Sequence, residues 1–206
     1  VGPARRLEIH NLGHAVEQFD ADLVCLQEVR AFNRQQARRF KHWPEQGQAE
    51  FLAPEGYSAV YRTNAITRHG EHGNALLSRW PVLAHQHENI SDHRFEQRGL
   101  LHVTVDVVAQ NHPRHVHVLV VHLGLLHASR VRQTRLLHDY MAREVPAHAP
   151  LIVAGDFNDW GNTVEQMMAQ FGLHSHRSHP VPTFPSRLPL VQLDHVYARG
   201  LKPVHI

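Results

Sequence analysis

The sequence predicts an α/β fold, mixed strands and helices in one domain over residues 1–206, and three observations predict it. The first is the stretch 150–160, PLIVAGDFNDW. It opens as a short run of apolar, partly β-branched residues and so reads as a strand buried on both faces, then breaks at Gly155 into Asp156, Asn158 and Asp159. The second is that other apolar runs also end in polar side chains: Leu23-Val24-Cys25-Leu26 leads to Glu28, and the run 115–121 leads to His122. The third is that segments with helical apolar spacing lie between such runs, the order that builds strand–helix units.

Taken in order, residues 1–9 are too short and mixed to assign. Leu12, Ala15, Val16 and Phe19 recur at i, i+3, i+4 and i+7, the spacing of one buried helix face, with Asn11 as a candidate N-cap. A buried strand follows over 23–29. Residues 30–50 are polar and basic (Arg30, Arg34, Arg38, Arg39, Lys41), read as a solvated helix face, with a nucleic-acid track as the alternative. Strands are expected over 57–61 and 74–78, the second closed by Pro81. In 99–108, Leu101, Val103, Val105 and Val107 alternate onto one face of a half-buried strand. A strand over 115–121 precedes a helix from about Ser129 with Leu137, Tyr140, Met141 and Val145 inward. The strand 150–156 comes next, then a helix near 163–171, a proline-rich loop at 180–185, and a last strand over 193–197.

Composition narrows the class. Apolar residues make up 42% and charged ones 19%, and no run approaches the roughly 18 apolar residues a membrane-crossing helix needs, so neither a transmembrane segment nor a signal peptide is expected. The single Cys25 cannot form an internal disulfide, which points to a reducing, cytoplasmic setting, and nothing calls for more than a monomer. A formal net charge of +2 does not by itself indicate nucleic acid. The 21 histidines are the unusual feature. Pairs such as His85/His87, His115/His117 and His174/His176 suit adventitious zinc or nickel, but most read as surface residues that titrate near pH 6.5.

Chemistry is concentrated at strand ends. Glu28, His122, Asp156 with Asn158, and Asp194 lie beside buried runs far apart in the chain, and Arg98 precedes the strand at 99. If they converge on one rim, they supply hard oxygen ligands, an imidazole and a guanidinium, a set suited to Mg2+ or Mn2+ and a phosphate. The competing reading of Asp156-Phe157-Asn158-Asp159 is a turn whose polar groups cap the next helix.

Leu26-Gln27-Glu28-Val29, Gly73-Asn74-Ala75-Leu76-Leu77-Ser78-Arg79-Trp80-Pro81, Gln97-Arg98-Gly99, Val121-His122-Leu123, Gly155-Asp156-Phe157-Asn158 and Leu193-Asp194-His195-Val196-Tyr197 resemble, in order, the motifs of the endonuclease/exonuclease/phosphatase superfamily, the deoxyribonuclease I-like fold. The resemblance covers about residues 12–206 and is strongest to small bacterial members. It implies a four-layer α/β sandwich, two mixed sheets face to face with helices outside, and a metal-dependent phosphodiesterase or phosphatase. By that likeness Glu28 is the metal ligand. Asp156 and Asn158 position the attacking water and steady the transition state, His122 and Arg98 donate to phosphate oxygens, and Asp194 orients a catalytic histidine. Asn74 is a lesser candidate for shaping the substrate pocket.

Two departures stand out. Nothing before Leu12 matches the family's first strand with its metal-site Asn, and no Ser-Asp-His-x-Pro-like motif with the catalytic histidine follows residue 194. The expectation is a chain truncated at both ends, lacking the first and last strands, and therefore destabilised, aggregation-prone and feebly active. His195 does not fill the vacancy, because neighbours in a strand face opposite ways and Asp194 already takes the site side. Three functional classes follow. One is a phosphoester hydrolase acting on nucleic acid, phospholipid or a small phosphodiester. The second is a non-catalytic or inactive module of the same fold used for binding. The third is a zinc hydrolase built from histidines, which lacks a His-x-x-x-His or His-Glu-x-x-His spacing beside a suitable acid.

Overall fold

The computed structural model describes residues 9–31, 47–67, 70–109, 112–175, 182–183 and 192–204. Among them, β1 (Leu23–Arg30), β2 (Ser58–Thr67) and β3 (Gly70–Ser78) form an antiparallel sheet in the order β1-β3-β2. A larger sheet holds β4 (Val82–Asn89), β5 (Gly99–Ala109), β6 (His112–His122), β7 (Leu151–Asp156) and β8 (Asp194–Arg199) in chain order. Within it β6 and β7 are parallel and the other pairs antiparallel, so the larger sheet is mixed while the smaller one, among the described residues, is not. The helices are α1 (Ile9–Phe19), α2 (Gln48–Leu52), α3 (His127–Glu144) and α4 (Thr163–Gln170).

Three apolar clusters show the layering. Leu101, Val103 and Val105 of β5 and Val116, Val118 and Val120 of β6 pack between the sheets against Val60 and Leu76 of the smaller one. The alternate residues Leu100, Leu119 and Val121, with Leu151 and Val153 of β7, meet Leu137, Tyr140 and Met141 of α3 and Val164 and Met168 of α4. On the far side Ile9 and Val16 of α1 and Leu52 of α2 cover Leu77 of β3. The result is helices, small sheet, large sheet, helices: the four layers expected, with period-2 alternation deciding which residue faces which neighbour.

Several local expectations need correction. The strand β4 was not foreseen, because six of its eight residues are exposed and it lacks apolar alternation; it forms as an edge paired to β5. In α1 the expected inward face is only partly buried: Val16 is covered, whereas Leu12 is 46% and Phe19 78% exposed, since Ile9 and Val16 alone reach the sheet. Asn11 lies inside α1 instead of capping it. Most of the basic run, residues 32–46, lies outside the described residues; α2 follows it. Beyond Phe19 a cavity of about 400 Å3 opens between the sheets at their β1 and β8 edges, lined by Leu23, Cys25, Val118, Ile152 and Val196. Burial pushes the Cys25 thiol up to about 12, so it is an inert wall residue.

A polar chain crosses the seam between the large sheet and α3. His102 Nδ1 lies 3.0 Å from the Tyr140 hydroxyl and its Nε2 lies 2.9 Å from His117 Nδ1. Burial, then the neighbouring His117, lowers the His102 pKa from 6.5 to about 4. Because the unfolded chain binds this proton more readily, the associated stability is complete above pH 6.5 and is lost as pH falls toward 4. The loss for His102 is on the order of 3 kcal/mol. Chemical unfolding across that window is expected to show the drop, and His102→Gln to flatten it.

Candidate active site

Regular alternation delivers three of the predicted residues to one row. With Val118 and Val120 turned toward the smaller sheet, His122 turns the same way. The register pairs His122 with Asp156 on β7, and Asp156 with Asp194 on β8. Gly155 makes the row possible. Its φ of 148° and its approach to Val121, where a Cβ would lie 1.9 Å from the carbonyl oxygen, exclude any other residue. Thr183 fixes the start of β8 by accepting the backbone N–H groups of Leu193 and Asp194 at 3.1 and 3.3 Å.

Glu28 arrives by a different device. In β1, Leu23 and Cys25 face the large sheet, so simple alternation would point Glu28 outward. A bulge intervenes: Leu26 pairs with Ala75 and Val29 with Gly73, leaving both Gln27 and Glu28 opposite Asn74. Glu28 takes a φ of 56°, a left-handed conformation unfavourable for a glutamate, which puts its Oε1 3.5 Å from His122 Nδ1 across the intersheet seam. Asp156 Oδ2 stands 3.8 Å from the other ring nitrogen. One imidazole thus lies between carboxylates from both sheets.

Electrostatics at the site favour neutral groups. Burial, then Arg98, lowers His122 to about 4 against the opposing pull of Glu28 and Glu96, so at neutral pH the ring is an uncharged donor and acceptor. Burial raises the Asp156 pKa, and the charges of Asp194 and Glu28 add to it, while the Asn158 N–H and Arg98 resist. Asp156 Oδ1 accepts that N–H at 2.9 Å.

The loops behind the row share one carbonyl. Leu123 O accepts Asn158 Nδ2 at 2.9 Å and Arg98 Nε at 3.3 Å. Glu96, which sequence reasoning missed, accepts Arg98 Nη2 and the Leu125 N–H, each at 3.1 Å. Its placement two residues before Arg98 is the only hint the sequence offers. Asp159 accepts the N–H groups of Thr163, Val164 and Glu165, so the helix-capping reading holds for that residue, while Asp156 stands beside His122 and Asn158 braces the loop behind it. His195 turns away from Asp194, stacked on Tyr197 and edge-on to Phe157.

Asn74 is placed differently from its expected role at the pocket. It is fully buried and donates Nδ2 to Gly99 O at 2.9 Å and to Val120 O at 3.0 Å, a strut between the two sheets directly opposite the Glu28 bulge. Its amide donors are committed to the frame, and its Oδ1 is buried with no partner among the described residues. Asn74→Ala is expected to reduce stability in urea unfolding by on the order of 2 kcal/mol, from the partners lost to two buried carbonyls. Asn74→Asp, which keeps the shape but not the donors, is expected to fail to restore it.

Comparison with known proteins agrees with this architecture. A model of the Endonuclease/Exonuclease/phosphatase family matches residues 2–205. The chain is 37% identical over 202 residues to the uncharacterized protein YbhP of Escherichia coli (strain K12), covering 95% of this chain and 79% of that protein. Among solved structures, an endonuclease/exonuclease/phosphatase family protein from Leptotrichia buccalis C-1013-b superposes with a TM-score of 0.74 at 15% identity, covering 98% of this chain and 84% of the other. The human Nocturnin catalytic domain with bound sulfate anion gives 0.67 at 20% identity, covering 93% and 74%.

Proposed function

The chain belongs to the endonuclease/exonuclease/phosphatase family, a family of hydrolytic phosphoesterases, and on that premise we propose that it hydrolyses phosphoesters with a bound divalent cation, Mg2+ or Mn2+. The observation that supports this most is the convergence of Glu28 and Asp156, from opposite sheets, within 3.5 and 3.8 Å of the two nitrogens of His122. The Nocturnin domain was solved with a bound sulfate, a tetrahedral oxyanion like a phosphate.

The donor set fits a hard cation. Among the described residues no three histidine, cysteine or acidic groups close into a cage. Mg2+ does not require one: it keeps several waters and binds through one or two carboxylates. The Glu28 side chain, 58% exposed, would hold it, and a cation there would relieve the crowding of negative charge that raises Asp156. Such an ion supplies Lewis-acid neutralisation of phosphate charge.

The protein groups divide the remaining work. Asp156, half-buried and with its proton affinity raised, accepts a proton from the attacking water. Neutral His122 donates one N–H to a phosphate oxygen. Arg98 has five N–H bonds, three of them directed to Leu123 O, Gln97 O and Glu96; the other two face no acceptor among the described residues and suit a second phosphate oxygen. Asn158 holds Asp156 through its backbone N–H and the Leu123 loop through its side-chain amide. Asp194 adds negative charge beside Asp156.

Cleavage of bis-p-nitrophenyl phosphate with Mg2+ or Mn2+ tests this reading. Asp156→Ala is expected to lower the rate by about 10²–10⁴-fold, the usual effect of losing a positioned acid–base group, and chelation of the cation to abolish it. Equal rates for wild type and variant would leave a non-catalytic binding module of the same fold.

A further inference from the structure

The smaller sheet breaks its register twice, once on each side of Gly73. The break in β1 brings Glu28 to His122. The other lies in β2, where Thr63 pairs with Gly73 and Ala65 with His72, leaving Asn64 without a cross-strand partner. Bulges are frequent next to active sites, where they re-aim side chains. Asn64 lies two residues after Arg62, and Arg62 pairs with Asn74, which reaches carbonyls of the large sheet, so Arg62 and Asn64 both point across the seam.

The large sheet leaves room for them. Leu100 pairs with Val121, so Gly99, one residue earlier, stands opposite His122 in the row that continues to Asp156 and Asp194. Gly99 contributes no side chain to that row. A Cβ there would lie 2.2 Å from Asn64 Oδ1 and 2.4 Å from His87 Nε2, so the Asn64 amide and the His87 ring fill the gap. The Gly99 position is one cross-strand spacing, about 5 Å, from His122, on the side away from Asp156.

His87 decides which way the amide faces. Its Nε2 lies 3.1 Å from Asn64 Oδ1, and an amide oxygen only accepts, so the ring donates and the Nδ2 hydrogens are left over. They meet no acceptor among the described residues. Arg62 adds charge: its Nη2 donates to His85 Nδ1 at 3.0 Å, and among the described residues no carboxylate pairs with it. Burial, then the Arg62 charge, lowers the His87 pKa against the pull of Glu88, so the guanidinium stands near the same pair. The neighbouring acids are engaged elsewhere, Glu88 with Arg143 Nη2 at 3.3 Å and Glu71 with Thr63 Oγ1 at 2.7 Å. Glu28, Asp156 and Asp194 lie toward β1 and β8, so the cleft is acidic at one end and offers donors at the other. Donors without acceptors, backed by a guanidinium, select an anion.

We propose that Asn64 and Arg62, with the amide oriented by His87, form a second anion subsite of this cleft, and that the substrate is a phosphoester carrying a further phosphate a short spacer from the one that reacts. The assignment rests on the reading above of His122 and Arg98 as the groups that hold the reacting phosphate. Asn64 and Arg62 are then specificity-determining residues, and His87 is a positioning residue.

Equilibrium binding of ethyl phosphate and of the bisphosphate of ethane-1,2-diol, at fixed Mg2+ and ionic strength, tests it. Wild type is expected to bind the bisphosphate more tightly by about tenfold, the worth of one hydrogen bond to a charged group. Asn64→Ala and Arg62→Gln are each expected to remove most of that preference. His87→Ala is expected to remove it too, and His87→Gln, whose amide N–H can stand in for Nε2–H, to restore it; a role confined to packing would not give that rescue. Equal affinity of wild type for the two ligands, binding of neither, or a preference that survives Asn64→Ala would overturn the subsite. The readout needs no turnover, so a protein that prefers the bisphosphate and leaves bis-p-nitrophenyl phosphate intact would refute the hydrolase reading and uphold this one.

Discussion

The constraint on which the rest depends is the meeting of two sheets around one imidazole. Each sheet is organised by ordinary apolar alternation, and the intersheet core of valines and leucines holds them at packing distance. At the rim that alternation runs out of apolar residues and continues with His122, Asp156 and Asp194, so the packing that builds the core also aims the polar groups. Glu28 joins them only because β1 breaks its own register and accepts a left-handed residue. Strain of this kind persists where surrounding structure over-determines it. Here the neighbouring Asn74 strut locks the two sheets together at the same level.

The site's electrostatics follow from that enclosure. Burial is the largest influence on both His122 and Asp156, and it acts on each toward the uncharged form. Arg98 is the countercharge, itself held by Glu96 and the Leu123 carbonyl. A cluster of carboxylates whose mutual repulsion raises a proton affinity is a place where a divalent cation gains more than it would at an isolated side chain. That gain does not require a complete protein cage.

Much of this was legible in the sequence. The strand 151–156 ending in a glycine and a carboxylate, and the alternation in 99–108, depend on local pattern and hold in the structure. So does the opposite facing of Asp194 and His195, which needs only the pleat. What was not legible depends on partners. Residues 82–89 form a strand because β5 offers an edge, not because their own sequence alternates. The aim of Glu28 comes from a register shift against β3, and periodicity within β1 argues against it. Asn74 and Glu96 are chosen by long-range contacts, to carbonyls of the other sheet and to a backbone N–H on another loop, that no short window encodes. Glu28, expected at the rim as a strand-end carboxylate, does lie beside His122, but through the bulge and not through the strand's own periodicity.

The central claim is that Glu28, brought across the seam to the side of His122 and Asp156, would hold a divalent cation there. Titration of the protein with Mn2+, followed by paramagnetic broadening of backbone amide resonances, measures this directly. The account predicts that Glu28, His122 and Asp156 broaden together at the lowest Mn2+ concentrations, and that Glu28→Gln abolishes the effect at all three. Broadening confined to the histidine pairs His85/His87 or His115/His117, and indifferent to Glu28→Gln, would contradict it.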